Sequence, residues 1–314
     1  GNLRAIIMGL GVVRHVAVNH LAGDSLLPWR DSATTHVADI TAFTIHIFRM
    51  PLFFILAGFF VALLVKRYGA WGMLKHRLKR LGLPFLVFFP IVFISIAVLV
   101  LMYLNVMNTG VIGLNPEYAP PPPENGEAAI NTMHLWFLYY LIWMCIFAAP
   151  VYRFIHSLSE DRKKHFSGLF EKFATQGWGI VLLTLPLALV GMNYEHGIIT
   201  PTGSLIPNVN ELVHNGIFFA FGCFIYPRRE NLLTYFRKYT WHYSATGIVL
   251  YFGFLIFFEL RSDWGLEGQM SHFVTGFYHN LLTWVWCFTL IGLFERFVNP
   301  PNRVLRYLSD SSYW

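Results

Sequence analysis

Eight apolar stretches recur along the chain, near residues 3–22, 43–65, 84–107, 134–155, 177–193, 209–226, 241–260 and 272–297. A helix needs roughly 17–25 such residues to cross a ~30 Å hydrocarbon core. The stretches are continuous in apolarity and do not alternate, which excludes the period-two pattern of a membrane barrel. An ordinary soluble domain carries about 25% charged residues, whereas this chain has 13%, with 55% hydrophobic residues and a mean hydropathy of +0.50. That balance excludes a soluble globule and a disordered chain alike. Three cysteines, Cys145, Cys223 and Cys287, all sit in apolar runs without metal-site spacing, so neither a disulfide scaffold nor a metal site is expected. The expected fold is all-α, a polytopic transmembrane helix bundle with eight complete spans.

The net charge of +6 would suit nucleic acid, but its placement points to topology instead. Lys66, Arg67, Lys75, Arg77, Lys79 and Arg80 follow span two. Arg153, Arg162, Lys163, Lys164 and Lys172 follow span four, Arg228, Arg229, Arg237 and Lys238 follow span six, and Arg296, Arg303 and Arg306 follow span eight. These are eighteen of the 23 basic residues. The opposite connections hold Arg30 and Arg261 with nine acidic residues, among them Asp24, Asp39, Glu117 and Glu195. Positive-inside reasoning places the N-terminus and the even-numbered connections in the cytoplasm. The partner this implies is membrane lipid, and no nucleic acid.

No cleavable signal peptide is visible, since the first apolar run lacks a small-residue cleavage site. The chain begins without Met directly at a span and stops at Ser309-Asp310-Ser311-Ser312-Tyr313-Trp314, which reads as the start of another helix. Residues 1–314 are therefore expected to form a single domain that is incomplete at both ends. The connection 108–133 carries Pro120-Pro121-Pro122-Pro123 and three glutamates. It reads as a solvated spacer or as a lid over an acceptor.

Ionisable residues inside spans are costly and usually functional. Span one holds Arg4, Arg14, His15 and His20. Arg4 and His15 fall about 20° apart on one helical face, separated by roughly 16 Å along the axis. A neutral imidazole at that depth suits a general base or an acyl-accepting nucleophile. The competing reading is a snorkelling arginine and a hydrogen-bonded interior histidine. Arg77 and Arg80, three apart in His76-Arg77-Leu78-Lys79-Arg80-Leu81-Gly82-Leu83-Pro84, suit a phosphate clamp, or only a lipid-headgroup contact.

Arg49 in Phe48-Arg49-Met50-Pro51, with His46 just before it, either holds an anionic group or makes a structural ion pair. Trp136 in Leu135-Trp136-Phe137-Leu138 is a substrate-pocket candidate or an interfacial belt residue. Glu211 and His214 face the same interior or the outer water. His156 with Asp161, and His20 with Asp24, are chance-level histidine–aspartate spacings. No internal repeat, hydrolase elbow, zincin motif or nucleotide loop is present.

In their order along the chain, these elements resemble the acyltransferase-3 family of integral-membrane acyltransferases. Arg4 with His15 is similar to its first-helix Arg and His. Arg49-Met50-Pro51 through Gly58-Phe59 is similar to its R-x-P-x-F-F-x-x-x-G-F pattern, and Arg77 to Arg80 before Pro84 to its R-x-x-R element. Leu135-Trp136-Phe137-Leu138 resembles a stretch in one branch that modifies glucans. Arg14 stands where that family would have an apolar residue.

The resemblance implies a ten-span fold with both ends cytoplasmic, truncated here at the C-terminus, in a bacterial inner membrane. It implies O-acyl transfer from cytoplasmic acyl-CoA, acetyl-CoA or succinyl-CoA, to a carbohydrate hydroxyl, with no bound cofactor. His15 is then the catalytic residue. Arg4, Arg77 and Arg80 are the acyl-CoA-binding residues, and Arg49, His20, His46, Trp136 and Glu211 are the substrate-pocket candidates. The competing function is a secondary transporter or exporter of an envelope precursor, because intramembrane Arg and His residues also mark ion routes. A third is a non-catalytic envelope component. The sequence leaves the oligomeric state open.

Overall fold

Each of the eight apolar stretches is helical, and two amphipathic helices join them. The computed structural model describes residues 2–23, 31–119, 131–298 and Tyr307, with the side chains of Asn2, Arg4 and His134 excepted. The helices are α1 (Asn2–Val18), α2 (His36–Arg77), α3 (Leu83–Thr109), α4 (Trp136–Ser157), α5 (Glu160–Thr175), α6 (Gly177–Gly191), α7 (Val209–Ile225), α8 (Arg229–Lys238), α9 (Thr240–Leu260) and α10 (Gly268–Phe297). Among the described residues there is no β-strand, only isolated bridges such as Leu21 to Thr35.

Four continuous helical stretches are long and apolar enough to cross a membrane: His36–Thr109, Trp136–Ser157, Thr240–Leu260 and Gly268–Phe297. The α5–α6 pair, bent by 94°, makes a fifth if it counts as one span. The first stretch has 74 residues, about 110 Å of helix, several times the ~30 Å core. Gly69 interrupts it with φ 72°, a conformation that a residue without Cβ adopts at little cost. Of α3, Asn105 alone is buried. Leu86, Ile91, Ile94 and Leu99 are each more than half exposed. So large an exposed apolar face belongs against lipid.

Helix ends follow local chemistry. α5 starts at Ser159, whose hydroxyl accepts the Arg162 N–H at 3.5 Å, with Glu160 and Asp161 in the positive first turn. α3 ends at Gly110, φ 75°, whose N–H donates to the Val106 carbonyl at 2.8 Å. α1 stops at Val18, four residues before the end of the first apolar run. There the His20 N–H donates to the Ala17 carbonyl at 2.9 Å, and the Thr35 N–H donates to the His20 carbonyl at 2.9 Å. The proline-rich run and the chain end from Leu308 lie outside the described residues.

The chain divides into two compact units. The first comprises Gly1–Ala62, Ser159–Ile199 and His214–Trp314. In it α10 packs against α6, α8 and α9. α2 and α7 approach through paired glycines. A Cβ on Gly58 would lie 1.9 Å from the Phe219 carbonyl oxygen, and one on Gly222 would lie 1.9 Å from that of Ile55. Such small-residue contacts drive helix association where lipid removes the hydrophobic incentive. Trp284 is fully buried against Phe218, Phe221 and Phe288.

The second unit comprises Leu63–Leu158 and Thr200–Val213. Its segment 200–208 is tied to the start of α4. The Thr132 N–H and hydroxyl both donate to the Gly203 carbonyl, at 2.6 and 2.9 Å, and the Tyr139 hydroxyl donates to the Leu205 carbonyl. The Asn208 N–H donates to the Tyr140 hydroxyl at 3.0 Å.

Candidate functional site

The first unit gathers cationic and imidazole side chains from four helices. Arg49 on α2 reaches toward α1. Its Nη1 lies 2.6 Å from where a Cβ on Gly11 would stand, so the guanidinium occupies the notch that glycine leaves. Arg14 is three residues beyond Gly11, on the same face of α1, and is near enough for its charge to act on Arg49 and on His46. His279 on α10 also lies within electrostatic reach of His46, and His214 on α7 within reach of His279.

The Nε atoms of Arg14 and Arg49, Nδ1 of His214 and Nε2 of His279 are buried without a hydrogen-bond partner. Among the described residues no ion pair includes Arg14 or Arg49.

One pair fixes an orientation here. The Asn280 amide nitrogen donates to the Gly276 carbonyl at 2.8 Å, which leaves its Oδ1 as the atom 3.0 Å from His214 Nε2. Oδ1 only accepts, so Nε2 carries the proton and Nδ1 is a lone-pair nitrogen. α10 is held to α2 nearby, because the Thr283 hydroxyl contacts the Ile47 carbonyl at 3.1 Å and that of His279 at 2.9 Å.

The residues singled out in α1 are placed differently from one another. His15 is exposed, whereas Arg14, its neighbour about 100° around the helix, is half-buried. The Arg4 side chain lies outside the described residues. His20 lies beyond the end of α1, and its Nδ1–H donates to the Ala33 carbonyl at 2.9 Å. Beside it, Asp39 Oδ1 accepts the N–H groups of Ala22 and Gly23 at 3.1 and 3.3 Å. His20 thus helps close the connection between α1 and α2.

The second unit carries the basic element. Leu78–Gly82 forms a single π-helical turn between α2 and α3. Arg77 before it is half-buried, and Lys79 and Arg80 on it are exposed. His76 stacks on Tyr68 with ring centroids 5.9 Å apart, and the Arg67 guanidinium lies 5.1 Å from the same ring. Desolvation first, then the charges of Arg80, Arg77 and Arg67, hold the His76 imidazole below its ordinary pKa.

Also in this unit, Trp136 is half-buried and meets Phe137 and Tyr140 edge to face. Glu211 is fully buried. Its Oε1 accepts the Thr202 N–H at 2.9 Å and the Thr202 hydroxyl at 2.8 Å, and its Oε2 is buried without a hydrogen bond.

The structure thus brings Arg14, His46 and Arg49 together and adds His279 and Asn280, which sequence reasoning had not selected. The available signal was two adjacent polar residues midway through span eight. Among the described residues, no group of three or more His, Cys, Asp or Glu side chains could hold a metal ion. Chemically, the first unit offers imidazoles beside guanidinium groups that no described carboxylate pairs. The second offers an exposed cationic turn.

Comparison with known proteins gives this arrangement a context. The family described as "Acyltransferase domain", acyltransferase-3, matches residues 2–314. Among curated relatives, the glucans biosynthesis protein C of Salmonella paratyphi B is 26% identical over 195 residues, covering 62% of this chain and 46% of that protein. The protein of the same name from Shigella dysenteriae serotype 1 is 26% identical over 243 residues, covering 74% of this chain and 59% of that protein. The chain therefore spans about half the length of the curated relatives it matches. No solved structure matches it. With its Arg, His and R-x-x-R elements on apolar helices and the family pattern running across its whole length, the chain belongs to the acyltransferase-3 family of membrane proteins.

Proposed function

We propose that the protein is an O-acyltransferase that moves an acyl group from cytoplasmic acyl-CoA to a hydroxyl of an envelope carbohydrate. The observation that carries this reading is the exposed cationic turn. Lys79 and Arg80 lie exposed on one irregular helical turn, with half-buried Arg77 just before it and Arg67 and His76 close by, a concentration of charge suited to nucleotide phosphates. The name of the relatives, glucans biosynthesis protein C, supports a glucan or similar polymer as acceptor. In this reading α1, α2, α3, α4, α6, α7, α9 and α10 are the eight spans of a bacterial inner-membrane protein. Its N-terminus is cytoplasmic, because the basic connections then all face the cytoplasm.

His15, exposed on α1, acts as general base. It takes the proton of the acceptor hydroxyl as that oxygen attacks the thioester carbonyl carbon. The new C–O bond forms, the C–S bond breaks, and the imidazolium returns the proton to the leaving thiolate. Arg4, Arg77 and Arg80 hold the donor phosphates. Trp136, Glu211, His46, His20 and Arg49 are proposed to contact substrate.

The test uses purified protein in lipid nanodiscs with labelled acetyl- or succinyl-CoA and a glucan acceptor. Thiol release and label transfer are followed in wild type and in His15→Ala. Transfer that collapses in the variant, with donor binding kept, supports the assignment. Equal transfer in both removes His15 and moves the base to His46 or His20. Movement of a precursor across the bilayer without thiol release would replace the reading with transport.

A further inference from the structure

A cavity of about 240 Å³ opens between α8 and the end of α10, lined by Arg229, Glu230, Leu233, Thr234, Arg237 and Glu295. The five residues from α8 fall at i, i+1, i+4, i+5 and i+8, which is one helical face. The adjoining face fixes the helix in place. Leu232 and Phe236 are fully buried, and Phe236 stacks on Phe288 of α10 with centroids 4.7 Å apart. Gly292 permits this approach, since a Cβ there would lie 2.5 Å from the Phe236 carbonyl oxygen. Glu295, nearly one turn further along α10, thereby shares the cavity with Arg237. Arg229 is held as well. Its guanidinium donates to the Tyr226 carbonyl and to Glu230 Oε1, each at 3.3 Å, and lies 5.0 Å from the Tyr226 ring centroid.

The cavity sits where two spans end. α9 begins at Thr240 and α10 ends at Phe297, and both are apolar enough to cross a membrane. Trp241 and Phe297, at those ends, are each more than half exposed, with centroids 6.3 Å apart. The Arg296 guanidinium lies 5.7 and 5.8 Å from the two rings. Exposed aromatic rings at the ends of spans mark the level of the lipid headgroups. The cavity, with Glu295 two residues from Phe297, opens at that level.

We propose that this cavity binds the headgroup of an aminophospholipid, a phosphodiester joined to a primary ammonium, drawn from the surrounding membrane. Its lining carries two arginines and two glutamates. A simple anion would meet both carboxylates and a simple cation both guanidinium groups, whereas a zwitterion satisfies both signs. Arg229 and Arg237 donate to the phosphate oxygens, and Thr234 adds a hydroxyl between them on the same face. Glu230 and Glu295 accept from the ammonium. A trimethylammonium group has no N–H to give them, so the site separates ethanolamine from choline headgroups. Leu233 lies against the glycerol end. The volume equals about eight waters, room for one such headgroup.

The full chain, stripped of lipid in detergent, is titrated with phosphatidylethanolamine, phosphatidylcholine or phosphatidylglycerol of identical acyl chains. Native mass spectrometry counts the lipid retained, and unfolding midpoints without lipid check that each variant is folded. Phosphatidylethanolamine is expected to bind about tenfold more tightly than the other two. Glu230→Gln combined with Glu295→Gln should abolish that preference, and Arg237→Gln should weaken all three lipids. The Glu230 side chain is exposed, so Glu230→Gln alone leaves the fold intact and should reduce the preference in part.

Equal affinity for the three lipids in wild type overturns the proposal, as does a preference for phosphatidylglycerol. So does a phosphatidylethanolamine preference that survives unchanged in both glutamine variants. Soluble glycerophosphoethanolamine that binds as tightly as the lipid would overturn the membrane as the source of the headgroup.

Discussion

His214 on α7 and Asn280 on α10 form a hydrogen bond of 3.0 Å in which the amide oxygen accepts and the imidazole Nε2–H donates. The amide is held in turn by the Gly276 carbonyl at 2.8 Å. Asn280→Ala removes the acceptor and strands a sheltered N–H, at an expected cost of about 1–3 kcal/mol. Thermal unfolding in nanodiscs reads this directly, and an unchanged midpoint would show that the two helices are held by other contacts.

Gly58 and Gly222 give a second expectation. Each would place a Cβ 1.9 Å from a backbone carbonyl oxygen of the opposite helix. A backbone atom cannot swing aside as a side chain can, so α2 and α7 must separate. Gly58→Ala and Gly222→Ala should each destabilise by at least about 1–3 kcal/mol. Comparing their denaturation with that of Gly216→Ala, where a Cβ meets nothing within 4 Å, controls for helix propensity.

Glu211 fastens the segment that follows Ile199 through one oxygen accepting two bonds from Thr202. Glu211→Gln keeps an oxygen acceptor and should be tolerated, whereas Glu211→Ala strands the Thr202 N–H at about 1–3 kcal/mol. Amide exchange across residues 200–208 should accelerate in the alanine variant only. Equal acceleration in both would mean that the negative charge, and not the acceptor, holds the segment.

Arg77 and Arg80 bear on the donor. Charge-assisted hydrogen bonds are worth about 1.5–3 kcal/mol, so Arg77→Ala or Arg80→Ala should raise KM for acyl-CoA roughly tenfold or more. The exposed Arg80 contribution should shrink as salt rises. Kinetics at two ionic strengths separate a phosphate contact from a purely topological role, which would leave KM unmoved.

His76 gives a pH dependence with a definite sign. Its pKa is lowered in the fold by desolvation and by Arg80, Arg77 and Arg67. The folded state therefore binds a proton less readily than the unfolded chain. The stability it contributes is fully present above the ordinary value of 6.5 and is lost as pH falls through the lowered value. Amide protection of residues 78–82 should drop on acidification in wild type and less so in His76→Gln. Identical pH profiles would remove His76 as the cause.

The approximate positions of the helices were legible in the sequence because a helix in lipid must satisfy its own backbone, which makes apolar length a local and sufficient signal. The basic connections were equally legible, since charge placement needs no partner. The first apolar run misled by four residues, because α1 ends where bonds from Thr35 and Asp31 cross to His20 and Asn19, and such long-range contacts leave no trace in hydropathy.

The sequence alone determined an all-helical membrane protein, its family elements and its cationic turn. Tertiary structure decided which polar residues meet. Arg14 is half-buried near Arg49 while His15 is exposed, and His279 and Asn280 join from α10. Spans that are apolar all round have no patterned face to announce their neighbours. Which side of each helix faces inward was settled by close packing such as Gly58 on Phe219, a property of pairs of helices and not of any one segment.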